Sequence, residues 1–422
     1  MTLADATTVP SRPVTALGAQ GVERVRDLRL DFFRGIAMFI ILIAHTPGNF
    51  LTSWIPPARW GFSDATEIFV FCSGMASAIA FGGAFDRMGW RLGTARVSFR
   101  VWQVYWAHIG LFVAIAALLA GIDHFGGFDK NYIGSLNLWK FFADPAVPLV
   151  GLVTLTYVPN YFDILPMYMV VLMLMPIVMA LSRVHLGLVA AFSIIVWLLA
   201  QGALLTTLGL DYLHLALPAE PWSDRNWFFN PFGWQLIFFT GFAFMRGWLP
   251  KPPVNTVLIA LAAFLVIANI PLSSVGVRAI SQDWFFVTEA GNPVIDARIA
   301  LKGVIDKSDF GLFRYLHFLS LAYLAWVIAG DKGANLLSRG SGAASAAWGG
   351  LVAIILKVGQ QSLAVFVVSM FTARVMGFVM DMAGREVGKV LLVNLGGALV
   401  LVATAYGAGW FKSHPWRKKA DA

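Results

Sequence analysis

Arg34 and His45 bracket ten apolar or small residues in the run RGIAMFIILIAH. Eleven steps at about 100° make roughly three helical turns, so both side chains share one face about 16 Å apart along the axis. The cation can hold an anion near one water surface, while the histidine takes and returns a proton at the other level. Ionisable groups at membrane depth are costly and point by default to function. The plainer alternative is a snorkelling Arg34 and a hydrogen-bonded core His45.

Composition sets the frame for that helix. The 422 residues are 58% hydrophobic and 14% aromatic with only 13% charged, and the mean hydropathy of +0.72 excludes an ordinary soluble globule. Net charge is +8, but the basic residues are spread through short connectors as a topology signal, so no nucleic-acid partner is expected. A single cysteine, Cys72, rules out an intrachain disulfide and a Cys-rich metal site. His45, His108 and His317 fall on separate segments with no H-x-x-x-H spacing, so no metal centre is expected. Residues 1–25 hold no apolar core and read as a disordered cytoplasmic terminus without a cleavable signal peptide, leaving the first span to direct insertion.

Apolar runs predict an all-α polytopic membrane protein, a bundle of about ten transmembrane helices at 30–50, 65–85, 97–120, 163–182, 186–207, 229–246, 254–272, 311–330, 356–380 and 388–411. A single transmembrane domain then covers 26–411, followed by a basic tail at 412–422. Lys and Arg recur in every second connector, from Arg24, Arg26 and Arg29 through Arg87, Arg91 and Arg96 to Lys412 and Arg417, which puts both termini in the cytoplasm. The opposite loops, 121–162, 208–228 and 273–310, carry carboxylates such as Asp283 and Glu289 together with Trp222, Trp227 and Trp284. These suit a carbohydrate, and an interfacial aromatic belt accounts for the same Trp residues. The run 146–158 is too short to span and reads as re-entrant or interfacial.

On that topology the embedded polar residues fall at two levels. His45, Asp64, Glu67, Asp163, Asn230, Gln235, Asp309, Arg314 and His317 gather at outer helix ends. Asp31, Arg34, Arg96, Arg100, Gln103, Tyr105 and His108 lie toward the inner ends, with Gln360, Gln361 and Ser362. A histidine among carboxylates suits general-base chemistry, because a carboxylate fixes the imidazole tautomer and stabilises the imidazolium. Inner cations suit a phosphate-bearing donor. Simpler roles stay open: helix capping for Asp163 and Asn230, interface anchoring for Arg96 and Arg100, and packing hydrogen bonds for Tyr105 and His108.

The Arg, ten residues, His spacing resembles the first-helix signature of the membrane-bound acyltransferase-three superfamily, and EIFVFCSG (67–74) resembles its second-helix pattern. RDLRLDFFRGIAMFIILIAHTPGN (26–49), GFSDATEIFVFCSGM (61–75), RVWQVYWAHI (100–109), DILPMYMVVLMLMP (163–176), NPFGWQL (230–236), DKSDFGLFRYLHFLSLAYL (306–324) and GQQSLAVF (359–366) resemble, in order, the OpgC proteins, which succinylate osmoregulated periplasmic glucans. The resemblance implies a multi-pass acyltransferase of the bacterial inner membrane. It would move succinyl from cytoplasmic succinyl-CoA, a co-substrate and not a resident cofactor, to hydroxyls of a periplasmic glucan. By motif, His45 would be the general base, Glu67 its orienting carboxylate and Arg34 a donor-binding or helix-pairing residue.

Depth and chemistry add further expectations. Asp64 joins the catalytic group, Arg96 and Arg100 join Arg34 in the donor site, and Asp163, Asn230, Gln235, Arg314 and His317 form the substrate site. Gln235 or Asn230 would serve as oxyanion donors. Arg314 would either hold the succinyl carboxylate or pair internally with Asp309 or Asp64. O-acetylation of another envelope polysaccharide, proton-coupled transport and a structural membrane subunit are the competing readings; the lack of two related halves argues against transport. The insert 273–305 matches none of these motifs, and oligomeric state stays open.

Overall fold

In the computed structural model, which describes residues 27–280 and 292–416, the regular elements are helical, with one isolated bridge between Pro218 and Asn226. The N-terminal segment 1–25, the loop residues Asp283, Trp284 and Glu289, and the basic tip from Arg417 lie outside the described residues.

Polar caps and glycines set the helix boundaries. Helix α1 spans Arg29–His45, and its buried Phe32, Gly35, Met38, Ile41 and Leu42 recur at helical spacing. Helix α2 (Ala65–Ser77) opens on a capping box in which Asp64 and Glu67 satisfy each other's end of the helix. A π turn at Ala78–Gly82 leads into α3 (Gly83–Phe125). Gly89, at φ 77° and ψ 178°, breaks α3 into two limbs. A Cβ on Gly93 would lie 2.5 Å from the Phe85 ring, so the limbs fold back on each other where the sequence placed the connector between spans two and three. The short α4 (Trp139–Ala143) and α5 (Ala146–Thr154) follow, the latter too short to span.

Then come α6 (Ile164–Val184), α7 (Leu186–Leu199), α8 (Gly202–Thr207) and α9 (Pro231–Arg246). Asn230 caps α9 with Pro231 at its first position, an arrangement in which the missing N–H costs nothing. The remainder are α10 (Thr256–Ala268), α11 (Ser274–Arg278), α12 (Pro293–Ala300), α13 (Lys302–Ile305), α14 (Leu312–Ala329), α15 (Ala343–Gln360), α16 (Ser362–Ala383) and α17 (Val387–Lys412).

By length and apolarity, 6 helical runs can cross a membrane: the α2–α3 run, α6, α14, α15, α16 and α17. Helices α1 and α9, with 17 and 16 residues, fall just short, as do the apolar segments Leu186–Leu199 and Thr256–Leu272. The ninth expected span, 356–380, is redrawn: its first residues end α15, and the chain turns at Gln361 before α16. The Ala, Ser and Gly residues of 343–350 conceal α15 from a hydropathy reading. It forms because glycines let it lie directly on α1. A Cβ on Gly35 would sit 2.1 Å from the Ile355 carbonyl oxygen, and one on Gly359 1.8 Å from that of Asp31.

Helix α1 is the hub, packing on α2, α15 and α16, while α2 meets α9, α3 meets α6 and α17 covers α16. Leu391, Leu392, Leu395 and Leu399 on α17 and Val257, Leu261 and Phe264 on α10 point outward, apolar faces suited to hydrocarbon. The α2–α9 crossing is equally close: a Cβ on Gly74 would lie 1.9 Å from the Phe238 carbonyl oxygen, and one on Gly241 2.3 Å from that of Phe71. Gly74→Ala and Gly241→Ala are each expected to cost about 1–3 kcal/mol by overpacking. Gly110→Ala, with nothing within 4 Å of the new atom, serves as the neutral control. Thermal unfolding of the detergent-solubilised protein checks this; equal midpoints for all three variants would show that the crossing relaxes freely.

Candidate active site

His45 is the last residue of α1, and its Nδ1 lies 2.9 Å from the Ile41 carbonyl oxygen. A carbonyl can only accept, so Nδ1 carries the proton and Nε2 offers a lone pair. The ring stands edge-on to Tyr161, centroids 5.4 Å apart. Tyr161 is itself held by two contacts, its hydroxyl donating to the Met370 carbonyl oxygen (2.6 Å) and the Arg374 guanidinium lying 3.9 Å over its ring, and its φ is +89°. A left-handed aromatic residue costs of order 1–3 kcal/mol and persists only where its surroundings fix it. The imidazole therefore rests against a rigid wall.

A cavity of about 330 Å³ brings His45 together with Asp64, Thr66, Asn160, Tyr161, Asp163, Phe229 and Lys307. Asp64 accepts from the Ala65 amide through Oδ1 (2.7 Å) and faces the Lys307 ammonium through Oδ2 (3.4 Å). Asp163 is buried, makes no capping bond to α6 and instead accepts from the Phe228 amide (3.1 Å). Capping of its own helix is thus not its role. His45, Asp64 and Asp163, predicted from three separate spans, do share one cavity.

Lys307 reaches that cavity because its loop is pinned on every side. The Asn230 amide donates to the Ser308 carbonyl (3.0 Å), the Trp234 indole to that of Lys307 (2.9 Å), Gln201 to that of Asp309 (2.7 Å) and the Trp197 indole to that of Phe310 (2.9 Å). Asn230 Nδ2 also donates to Leu215 O and to Asp309 Oδ1, at 2.8 and 3.0 Å. Its amide is consumed in scaffolding, which removes it as an oxyanion donor. Gln235 is removed likewise: its Oε1 accepts from the Ser193 hydroxyl (2.6 Å) and its Nε2 donates to the Ser193 carbonyl (2.7 Å), joining α9 to α7.

Three more expected site residues, Glu67, Arg314 and His317, lie outside the lining of the His45 cavity. Glu67 does not orient His45. Its Oε2 accepts from the Asp64 amide (2.8 Å) and its Oε1 from Arg314 Nη1 (2.7 Å), because the α2 capping box and a buried guanidinium claim both oxygens. Arg314 also donates from Nε to the Asp306 carbonyl (3.2 Å), so its internal partner is Glu67 and neither Asp309 nor Asp64. His317 Nδ1 accepts from the Ser63 amide (3.3 Å) and hydroxyl (2.7 Å), fixing the turn that precedes α2.

At the other end of the bundle Arg34 donates to the Ser362 hydroxyl, and Arg100 to Gln103 Oε1 (3.1 Å), while Arg96 is exposed. Lys412 donates to Gln361 Oε1 (2.6 Å) within electrostatic range of Arg34 and Arg100, so three cations mark that level. Tyr105 donates to the Val153 carbonyl (2.8 Å), the packing role open to it from the start. Among the described residues no cluster of His, Cys, Asp and Glu is placed to hold a metal.

Sequence reasoning missed Lys307, Tyr161 and Arg374. A charge inside the apolar run of α16 was the available signal for Arg374. Lys307 lay hidden between two aspartates of an acidic loop, and the backbone of Tyr161 leaves no trace in residue type.

The Glu67–Arg314 pair makes a sharp test. Removing one partner of a buried ion pair costs about 3–5 kcal/mol, since the other charge is left uncompensated. Arg314→Met and Glu67→Gln are each expected to lower folded yield on size-exclusion chromatography, and the double variant is expected to recover much of the loss. Single variants that stay fully folded would show that the pair bears no structural role.

No match was found among curated proteins or among solved structures. The family comparison is different, because the OpgC protein family matches residues 26–413, nearly the whole chain. The protein, whose paired His45 and Asp64 motifs lie within that match, belongs to the OpgC protein family.

Proposed function

We propose that this protein is a membrane O-acyltransferase that moves a succinyl group from succinyl-CoA to hydroxyls of a periplasmic glucan. Family membership supports a glucan-modifying acyltransferase. The observation that carries the chemistry is His45 itself, its Nδ1 committed to a carbonyl and its ring at a largely apolar cavity that also holds Asp64, Asp163 and Lys307. In this reading the acceptor hydroxyl gives its proton to His45 Nε2 as its oxygen attacks the thioester carbonyl. Collapse of the tetrahedral adduct expels the CoA sulfur, which takes the proton back from the imidazolium and leaves a succinyl ester. Asp64 and Asp163 favour the transient imidazolium, and Lys307 and Asn160 supply donors toward the oxyanion.

The bundle is oriented by its basic connectors, with the Arg34 end and both termini in the cytoplasm of a bacterial inner membrane and the His45 end facing the periplasm. The donor then enters at Arg34, Arg96 and Arg100, and its phosphates stay at that level.

Mass spectrometry of periplasmic glucans with and without the protein tests the reading, and loss of succinyl groups is the expected result. His45→Ala is expected to lower transfer by about 10² to 10⁴ while leaving the chromatographic profile of the folded protein intact. Full activity in that variant would remove His45 from the mechanism. Arg100→Ala is expected to raise the donor KM more than it lowers kcat, as for a contact made equally in ground and transition states. A pure kcat defect would move the donor elsewhere.

A further inference from the structure

A larger cavity of about 580 Å³ adjoins the first and shares Asp64 and Lys307 with it. Its walls come from the loop after α1, from α12 and α13, and from the pinned loop ahead of α14. Five cations line it, Arg59, Arg298, Lys302, Lys307 and Arg314, against two carboxylates, Asp64 and Asp306. Lys307 and Arg314 are paired with Asp64 and Glu67. Among the described residues Arg59, Arg298 and Lys302 have no carboxylate partner. Arg59 Nε donates to the Thr52 carbonyl (2.8 Å) and Arg298 Nη1 to that of Leu272 (3.1 Å). Each guanidinium is thus fixed by one nitrogen and keeps others for a ligand, the arrangement that suits a planar carboxylate.

An excess of cations in a concave site concentrates anions there. The loop that supplies Arg59 also exposes Trp54 and Trp60, whose rings lie 6.2 Å apart and offer flat faces to sugar rings. The anion this site would meet follows from the reaction itself. Each succinyl transfer to a neutral sugar leaves the acceptor with a free carboxylate.

We propose that this second cavity is an acceptor subsite for a succinyl carboxylate already on the glucan, so that a substituted glucan is the better acceptor for the next transfer. The proposal rests on the acyltransferase reading above. It explains why the cationic cavity adjoins the His45 cavity: a glucan anchored by one succinyl group presents nearby hydroxyls to Nε2. The donor's own succinyl carboxylate is the other source of the same chemistry, and the experiment separates the two.

Full-length protein in proteoliposomes is assayed with succinyl-CoA and with acetyl-CoA, each against neutral and monosuccinylated glucan. The wild type is expected to show a KM for monosuccinylated glucan about tenfold below that for neutral glucan, the size of two modest ion pairs acting together. That preference is expected with either donor and to shrink as salt rises. Arg298→Gln combined with Lys302→Gln is expected to abolish it, and Arg298→Lys with Lys302→Arg to retain it. Equal KM values in the wild type overturn the proposal. Loss of succinyl transfer to both acceptors with acetyl transfer retained also overturns it, by assigning the cavity to the donor. Binding of the two glucans without donor gives an independent readout. A preference for the succinylated form with no transfer from any donor would keep the subsite and remove the acyltransferase reading, whereas equal binding would remove the subsite.

Discussion

The buried contact between Glu67 and Arg314 is the constraint on which the rest of the site depends. One carboxylate ends two debts at once: it neutralises a desolvated guanidinium and closes the capping box at the start of α2. Through it the first turn of α2 is tied to α14 and, by the Arg314 bond to the Asp306 carbonyl, to the loop that carries Lys307. Asp64 and Lys307 are consequently held as neighbours between two cavities. A charge so placed is poorly suited to bind substrate, because freeing it would leave its partner unpaired in a dry interior. The two acids of this turn are thus placed differently, Glu67 held by its partners and Asp64 lining the cavity.

A similar division runs through the helices. Small residues set how closely α1 approaches α15 and α2 approaches α9, and these contacts fix the positions of Arg34 and His45 along their shared face. In a bilayer, packing of this kind substitutes for the hydrophobic drive that water supplies to soluble cores. The polar side chains Asn230, Gln201 and the indoles of Trp197 and Trp234 then perform a second task, satisfying the carbonyls of the irregular loop at 306–310. Irregular backbone among membrane helices needs such partners, since hydrocarbon provides none.

The helical class and most of the apolar segments were legible because hydropathy acts at the scale of whole elements. The α1 face bearing Arg34 and His45 was legible because helical geometry is fixed. Helix α15 was not, since its Ala and Gly residues are weakly hydrophobic and its formation depends on close contact with α1, which is tertiary information. At the site, residue type and depth grouped His45, Asp64 and Asp163 at one level, and the three line one cavity. They could not separate residues that line a cavity from residues that support it: Glu67, Asn230, Gln235 and His317 have the same chemistry as a catalytic set, and only their partners reveal the supporting role. The handedness of the Tyr161 backbone, which places its ring against His45, is set entirely by its neighbours.

The separation of Arg34 from His45 explains why ionisable groups cluster near the two ends of the bundle. A charge at the centre of a bilayer is the most expensive place for it, and cost falls toward either interface. A reaction between a donor on one side and an acceptor on the other can respect that profile if only the neutral thioester crosses the middle. CoA carries its acyl group at the end of a long, flexible and uncharged arm, so under the proposed reaction its phosphates would stay beside Arg34 and Arg100 while the carbonyl reached His45. The Lys307 ammonium lines both cavities and stays beside the Asp64 carboxylate, so the cation that lines the His45 cavity is itself partnered. In the proposed reaction the membrane-spanning distance and the neutral arm are thus parts of one electrostatic solution.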